Sequence, residues 1–521
     1  MYRDHQKIND SYDVVVIGAG NGGLSAATEL AKKGVKTLLL EQHNLPGGFA
    51  TSFVRGRFEF ETSLHELNGW GTEEDRGSVR RLLEGRYGLD LEFVPIPEAY
   101  RLIITDPNEK LDVTMPFGVD NYIRAIEEEV PGSEDSLRKF FDIAQEISDA
   151  FVYFGKTKGN PDQKVLMKEY TNFLKTAAYT ADDIESALNM PKKARDILNA
   201  YWCYLGLPTN RINFTIFAMM ILSYITHGAY IPKMRSHEFT TALDKKIREL
   251  GGRIEYNTKV EKILVKKSKV VGVETSQGDI INTNYVISNA SPTLVYNKLI
   301  HPKSEVPEMA YKEVNARIHG LSAFVVYLGL DASPRDLGIN EYSYFIMENS
   351  DTAKAYDSWT TLQVPIGQAT VCLNNALPDC SPPGTTILYI TTLFRPEAWY
   401  DVKQEEYFKI KNKIALGLIK QFESAIGTNI IDNIEEIEVA TPITFARYTK
   451  SYNGNVYGYE PEPWDSVLTR FMCMNDEKYI DGLEFAGGFG RRCHGYSSTL
   501  VSGNMAAQLI YYEMVKRGEA K

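Results

Sequence analysis

The chain has 521 residues, 43% hydrophobic and 24% charged, an ordinary globular composition with enough apolar material for more than one domain. Its net charge is −11 and no run of Lys or Arg forms a stripe, which argues against nucleic acid as a partner and against polybasic attraction to lipid. The five cysteines (Cys203, Cys372, Cys380, Cys473 and Cys493) are odd in number and include no CxxC pair, a pattern of reducing compartments.

The N-terminal MYRDHQKIND is polar and lacks an apolar signal core, so a cytoplasmic protein is expected, with peripheral membrane contact left open. Asp13–Ile17 follows as a short β-branched run, the pattern of a parallel strand buried on both faces. It runs into Gly18-Ala19-Gly20-Asn21-Gly22-Gly23, with GxGxxG spacing at Gly18, Gly20 and Gly23. The first glycine permits a tight turn, the second lets backbone approach a pyrophosphate, and the third lets the next helix pack closely on the sheet. That helix is expected over Leu24–Gly34, with its positive N-terminal end toward the phosphates. A second buried strand, VKTLLLE, ends at Glu41. An acid about 20 residues past such a turn holds an adenosine ribose, which suits NAD and FAD equally. The pair Gly47-Gly48 adds a second close backbone approach, which favours the longer FAD.

From Gly18 through Glu41 to Gly47-Gly48, the chain resembles the flavin amine oxidase and phytoene desaturase superfamily. The segment Phe58-Glu59-Phe60-Glu61-Thr62-Ser63-Leu64-His65 is similar to its retinol saturase, carotenoid isomerase and phytoene desaturase branch, with Ser63 where a glycine is usual. Tyr230-Ile231-Pro232-Lys233 precedes a helix expected over Glu238–Leu250. Arg235, Ser236 and His237 stand where the branch carries Gly-Gly. A strand pair follows, from Gly252 through Val260 and on to Val273. Thr441-Pro442-Ile443-Thr444-Phe445 resembles a late substrate-domain motif. Gly482–Gly488 and Gly503–Ala507 resemble the C-terminal flavin motif, with Gly488 in place of the usual acid.

The resemblance implies an α/β fold, a Rossmann-like FAD-binding domain that is discontinuous, with an inserted α+β substrate domain. The cofactor motifs fall in 11–75, 228–300 and 465–521. The substrate domain is expected over 76–227 and 301–464, mostly helical at 119–227. By the same resemblance Gly18, Gly20, Asn21, Gly22, Gly23, Glu41, Gly47, Gly48, Val260, Gly487, Gly488 and Ser498 hold FAD. No second GxGxxG follows a strand, so NAD(P)H enters only as a transient electron donor.

In this branch the flavin carries the redox step, and the protein supplies an apolar channel, orientation and charge. His65 is the first candidate side chain, as a proton donor near the flavin. Arg491 or Arg492 would stabilise negative charge there, and Tyr496 and His494 are candidates by position. Lys233 reads as a solvated cation. The apolar helix Ile212–Ile225 reads as core, or as a channel wall or membrane-facing entrance. The expected activity is on carbon–carbon double bonds of a carotenoid- or retinoid-like substrate, by desaturation, saturation or isomerisation. Two alternatives are an amine oxidase and a non-enzymatic prenyl-binding module of the same fold. Oligomeric state is left open.

Overall fold

The computed structural model describes residues 8, 11–157, 161–465, 469, 478–490 and 494–520. Arg491, Arg492, Cys473 and Cys493 lie outside the described residues.

The first forty residues build the middle of a five-stranded parallel sheet. Its order is Arg253–Glu255, Thr37–Leu40, Val14–Ile17, Tyr285–Ser288 and Leu483–Phe485. Val14 pairs with Thr37 on one side and Tyr285 on the other. Every residue of the three central strands is buried. Parallel strands covered on both faces need apolar side chains at every position, which is why they read as continuous runs. The faces alternate along the strand. Val14 and Val16 join the helices Asn21–Lys32, Ser236–Glu249 and Tyr496–Lys516 in one core. Val15 and Ile17 join the antiparallel strands Val260–Lys266, Lys269–Thr275 and Ile280–Asn282 in another.

The helix after the glycine turn begins at Asn21, three residues earlier than the sequence suggests. The stretch from Gly252 to Val260 is divided. Arg253–Glu255 joins the parallel sheet beside Thr37–Leu40, the chain bends at Asn257 (φ 53°), and the antiparallel pair begins only at Val260. Two backbone bonds hold that bend, from Asn257 N–H to the His43 carbonyl (3.0 Å) and from Thr258 N–H to the Glu41 carbonyl (2.8 Å).

A second, seven-stranded sheet runs Ile434–Ala440, Ser322–Leu330, Thr386–Phe394, Gly367–Cys372, Ser343–Met347, Tyr100–Ile104 and Leu111–Met115. All neighbours are antiparallel except Ser343–Met347 with Tyr100–Ile104. Phe324, Val326 and Leu328 point to the face covered by Ile414, Leu418 and Phe422 of the helix Gln404–Ile426. Ala323, Val325 and Tyr327 point to the other face, toward the helical segment that spans 119–227. Within that segment the helix Phe214–His227 packs on Glu134–Lys156 and buries Phe214, Phe217, Ala218, Ile221 and Ile225. So much burial leaves this helix no broad face for a membrane.

Candidate flavin and substrate site

The carboxyl ends of the parallel strands open into one cavity of about 1610 Å³. Ligands of open α/β sheets bind at that edge. Gly18, Gly20, Asn21 and Gly22 line it, with Glu41, Gly47, Gly48 and Val260 nearby and Gly487, Gly488, Tyr496 and Ser498 opposite. Gly23 does not line the cavity. A Cβ there would stand 1.9 Å from the Gly18 carbonyl oxygen, so this glycine closes the turn onto the helix. Gly22 has a different reason: a Cβ would lie 2.4 Å from the Gly487 backbone nitrogen, across the meeting of the two cofactor motifs.

Two helices aim their N-termini at this cavity. Among the described residues neither Asn21–Lys32 nor Tyr496–Lys516 has a side-chain cap, so first-turn N–H groups are left for another acceptor. The buried Oδ1 of Asn21 also has no hydrogen-bond partner among the described residues. Uncapped N–H groups beside a glycine cradle suit a pyrophosphate. Glu41 lines the cavity just past the carboxyl end of Thr37–Leu40. Its carboxylate accepts from Ala19 N–H (2.6 Å) and His43 N–H (2.8 Å), so it braces the loop as well as facing the cavity. These features fit FAD.

Two residues not singled out from the sequence, Asn289 and Glu66, line the cavity, and Arg235, noted from the sequence, lies outside its lining. Asn289 ends the strand Tyr285–Ser288, and its side chain lies against Gly18, Gly20 and Gly22. Its place at the carboxyl edge of a central strand was the available signal. Arg235 has φ 71°, a conformation that glycine adopts at little cost, where the branch carries glycine. Its guanidinium is buried and donates to the Glu59 and Cys380 carbonyls (3.2 and 2.7 Å).

Beyond the cradle the cavity runs between the second sheet and the helical segment. Ala323, Val325, Leu393 and Phe345 line one wall, and Met219 and Met220 the other. His65 and Glu66 form a polar island in this apolar space. His65 Nε2 meets the Thr391 hydroxyl at 2.8 Å, and its carbonyl accepts from the Tyr342 hydroxyl. Burial drops its pKa to about 4, so the ring is neutral at pH 7. Glu66 accepts from the Tyr204 hydroxyl at 2.9 Å, and burial pushes its carboxyl up to about 8. His65 Nδ1 and Glu66 Oε2 are buried without a partner among the described residues.

Tyr496 begins the last helix. Its hydroxyl donates to the Phe49 carbonyl (2.8 Å) and lies 3.0 Å from the Ser63 hydroxyl, so it fastens that helix to the segment after Gly48. Burial raises its pKa well above the usual phenol value. His494 is buried and stacks on Tyr457 at 4.3 Å. Lys233 is exposed and pairs with Glu92 at 2.8 Å, away from the cavity lining. Arg491 falls outside the described residues.

A parallel sheet, a glycine cradle at its carboxyl edge and an apolar chamber continuous with it define an FAD-dependent oxidoreductase. The sequence profile of the flavin containing amine oxidoreductase family matches residues 22–407, and the chain belongs to that family. It is similar to the chloroplastic prolycopene isomerase of Daucus carota, at 25% identity over 518 residues covering 96% of this chain and 80% of the relative. The all-trans-retinol 13,14-reductase of Danio rerio is 23% identical over 482 residues, covering 87% and 78%. Among solved structures, an oxidoreductase from Methanosarcina mazei superposes with a TM-score of 0.62 at 15% identity, covering 95% of this chain and all (100%) of that one.

Proposed function

We propose that this enzyme acts on carbon–carbon double bonds of an apolar, polyene-like substrate. The supporting observation is the chamber beyond the glycine cradle, walled by Val325, Leu393, Phe345, Met219 and Met220 and broken by the His65–Glu66 island. A long hydrocarbon gains from leaving water for such a wall, at roughly 25 cal/mol per Å² of apolar surface. The names of the relatives, one a prolycopene isomerase and one a retinol reductase, agree with that chemistry.

FAD supplies the two-electron chemistry when bound. Gly20, Asn21, Gly22, Glu41 and Val260 would hold its nucleotide part, and Gly487, Gly488 and Ser498 the remainder. His65 and Glu66 handle the proton. With its carboxyl neutral at pH 7, Glu66 can donate through Oε2, which has no hydrogen-bond partner among the described residues. The neutral His65 ring, oriented by Thr391, can accept or relay a proton through Nδ1.

The test is an anaerobic incubation of the holoenzyme with a panel of cis and trans polyenes, in one arm with chemical reductant, NADH or NADPH and in another with an artificial quinone as electron acceptor. Chromatography and product mass then distinguish a shifted isomer from a gain or loss of two hydrogens. Conversion of at least one polyene is expected. Peroxide release from primary amines in a parallel aerobic assay, with every polyene returned intact in all arms, would overturn the reading.

A further inference from the structure

The cavity reaches the surface where two segments distant in sequence meet. One is the start of the helix Gln404–Ile426, and the other is the short helix Pro442–Thr449 with the turn after it. The hydroxyls of Tyr407 and Thr441 lie 3.0 Å apart and join the two. Phe408, Ile443 and Tyr448 line the cavity yet are 65%, 43% and 60% exposed, so they form its rim. Exposed aromatic and aliphatic side chains around an opening are costly in water unless something covers them.

The rim is also cationic. Lys411, Arg447 and Lys450 line the same opening, and none of them forms an ion pair among the described residues. Lys411 Nζ stands over the Phe408 ring at 5.1 Å, and the Arg447 guanidinium over Tyr448 at 6.0 Å. Of the nearby acids, Glu438 is held by Arg55 at 3.0 Å, and Glu405 and Glu406 are exposed at the start of the helix that carries Lys411. Free cations in a protein of net charge −11 are a local reversal that no run of basic residues announces.

We infer that this rim docks the cavity mouth on the headgroup layer of a bilayer bearing anionic lipid. Aromatic rings with an apolar body suit that layer, and Lys and Arg reach past them to phosphates. Among the described residues no helix is long and apolar enough to cross a membrane, so the contact is made at the surface. The inference rests on the polyene reading for its purpose, since an apolar substrate would then pass from bilayer to cavity without crossing water.

The experiment is co-sedimentation of the holoenzyme with phosphatidylcholine vesicles, with and without phosphatidylglycerol. Wild type is expected to bind the anionic vesicles, less strongly in high salt. Each rim cation removed weakens binding about fivefold, so K411S/R447S/K450S loses about a hundredfold. F408S/Y448S weakens binding to both vesicle types. Melting curves and flavin content confirm that the variants are folded. Wild type left in the supernatant, or a triple variant that sediments like wild type, overturns the inference. So does a dimer in light scattering that both variants dissolve, because a second copy would then cover the rim. Turnover of polyene in detergent micelles is measured separately. Docking without turnover removes the polyene reading alone, and turnover without docking removes this inference alone.

Discussion

At the scale of single residues, the main tension lies in the pair His65–Glu66. A carboxyl taken out of water resists ionisation, and an imidazole taken out of water resists protonation. Burial therefore keeps both neutral near pH 7. The sign for Glu66 follows from linkage. The unfolded chain loses this proton near the ordinary carboxyl value of 4.5, while the folded chain keeps it up to about 8. Between those values the folded state binds more protons, so the Glu66 contribution makes stability fall as pH rises. Glu66→Gln removes that dependence and keeps an oxygen for the Tyr204 hydroxyl. The variant should match wild type near pH 4 and gain on it toward pH 8, by about 1.4 kcal/mol per unit at most. Urea unfolding at several pH values measures this. A difference independent of pH would show that Glu66 ionises normally in the folded protein.

At the scale of elements, Gly22 joins two motifs far apart in the chain. Its place beside the Gly487 nitrogen means that any side chain forces apart the first helix and the turn after Leu483–Phe485. Gly503 makes a similar approach to the Gly22 carbonyl, with a Cβ position 2.0 Å away. Gly22→Val should therefore lose bound FAD by more than tenfold and destabilise the protein by about 1–3 kcal/mol from overpacking. Flavin absorbance of the purified variant and its melting curve check both. Full flavin content would mean that the two motifs do not meet as described. The first of these elements was readable because a strand buried on both faces has one solution, an unbroken apolar run, and a glycine turn has few. The seven-stranded sheet was not readable in its order. Tyr100–Ile104 pairs in parallel with Ser343–Met347, more than two hundred residues away, and local periodicity carries no record of that partner. Glu66 was hidden for a related reason. Nothing in Leu64-His65-Glu66-Leu67 says that both polar side chains sit in an apolar chamber rather than at the surface. The rim cations were hidden because Lys411 and Arg447 meet only in space.

At the scale of the whole molecule, the apolar interior is divided. One pair of cores flanks the parallel sheet, and another pair flanks the seven-stranded sheet. The cavity lies where these halves meet and is lined from both, by Gly20 and Val260 on one side and by Val325 and Thr391 on the other. A cofactor seated in the cradle binds the folded arrangement and not the unfolded chain. It adds stability of RT ln(1 + [FAD]/Kd), about 4 kcal/mol at a thousandfold excess over Kd. Stripping FAD should therefore lower the melting temperature. The loss should be largest in the parallel-sheet half, where uncapped helix N-termini and the glycine cradle would face no phosphate. Hydrogen exchange resolved by peptide would show faster exchange first in Val14–Ile17 and Asn21–Lys32, with Ser322–Leu330 and Thr386–Phe394 holding longer. Re-addition of FAD should restore both readings in a concentration-dependent way. Equal protection in both halves, with and without FAD, would mean that the parallel-sheet half gains no stability from its cofactor.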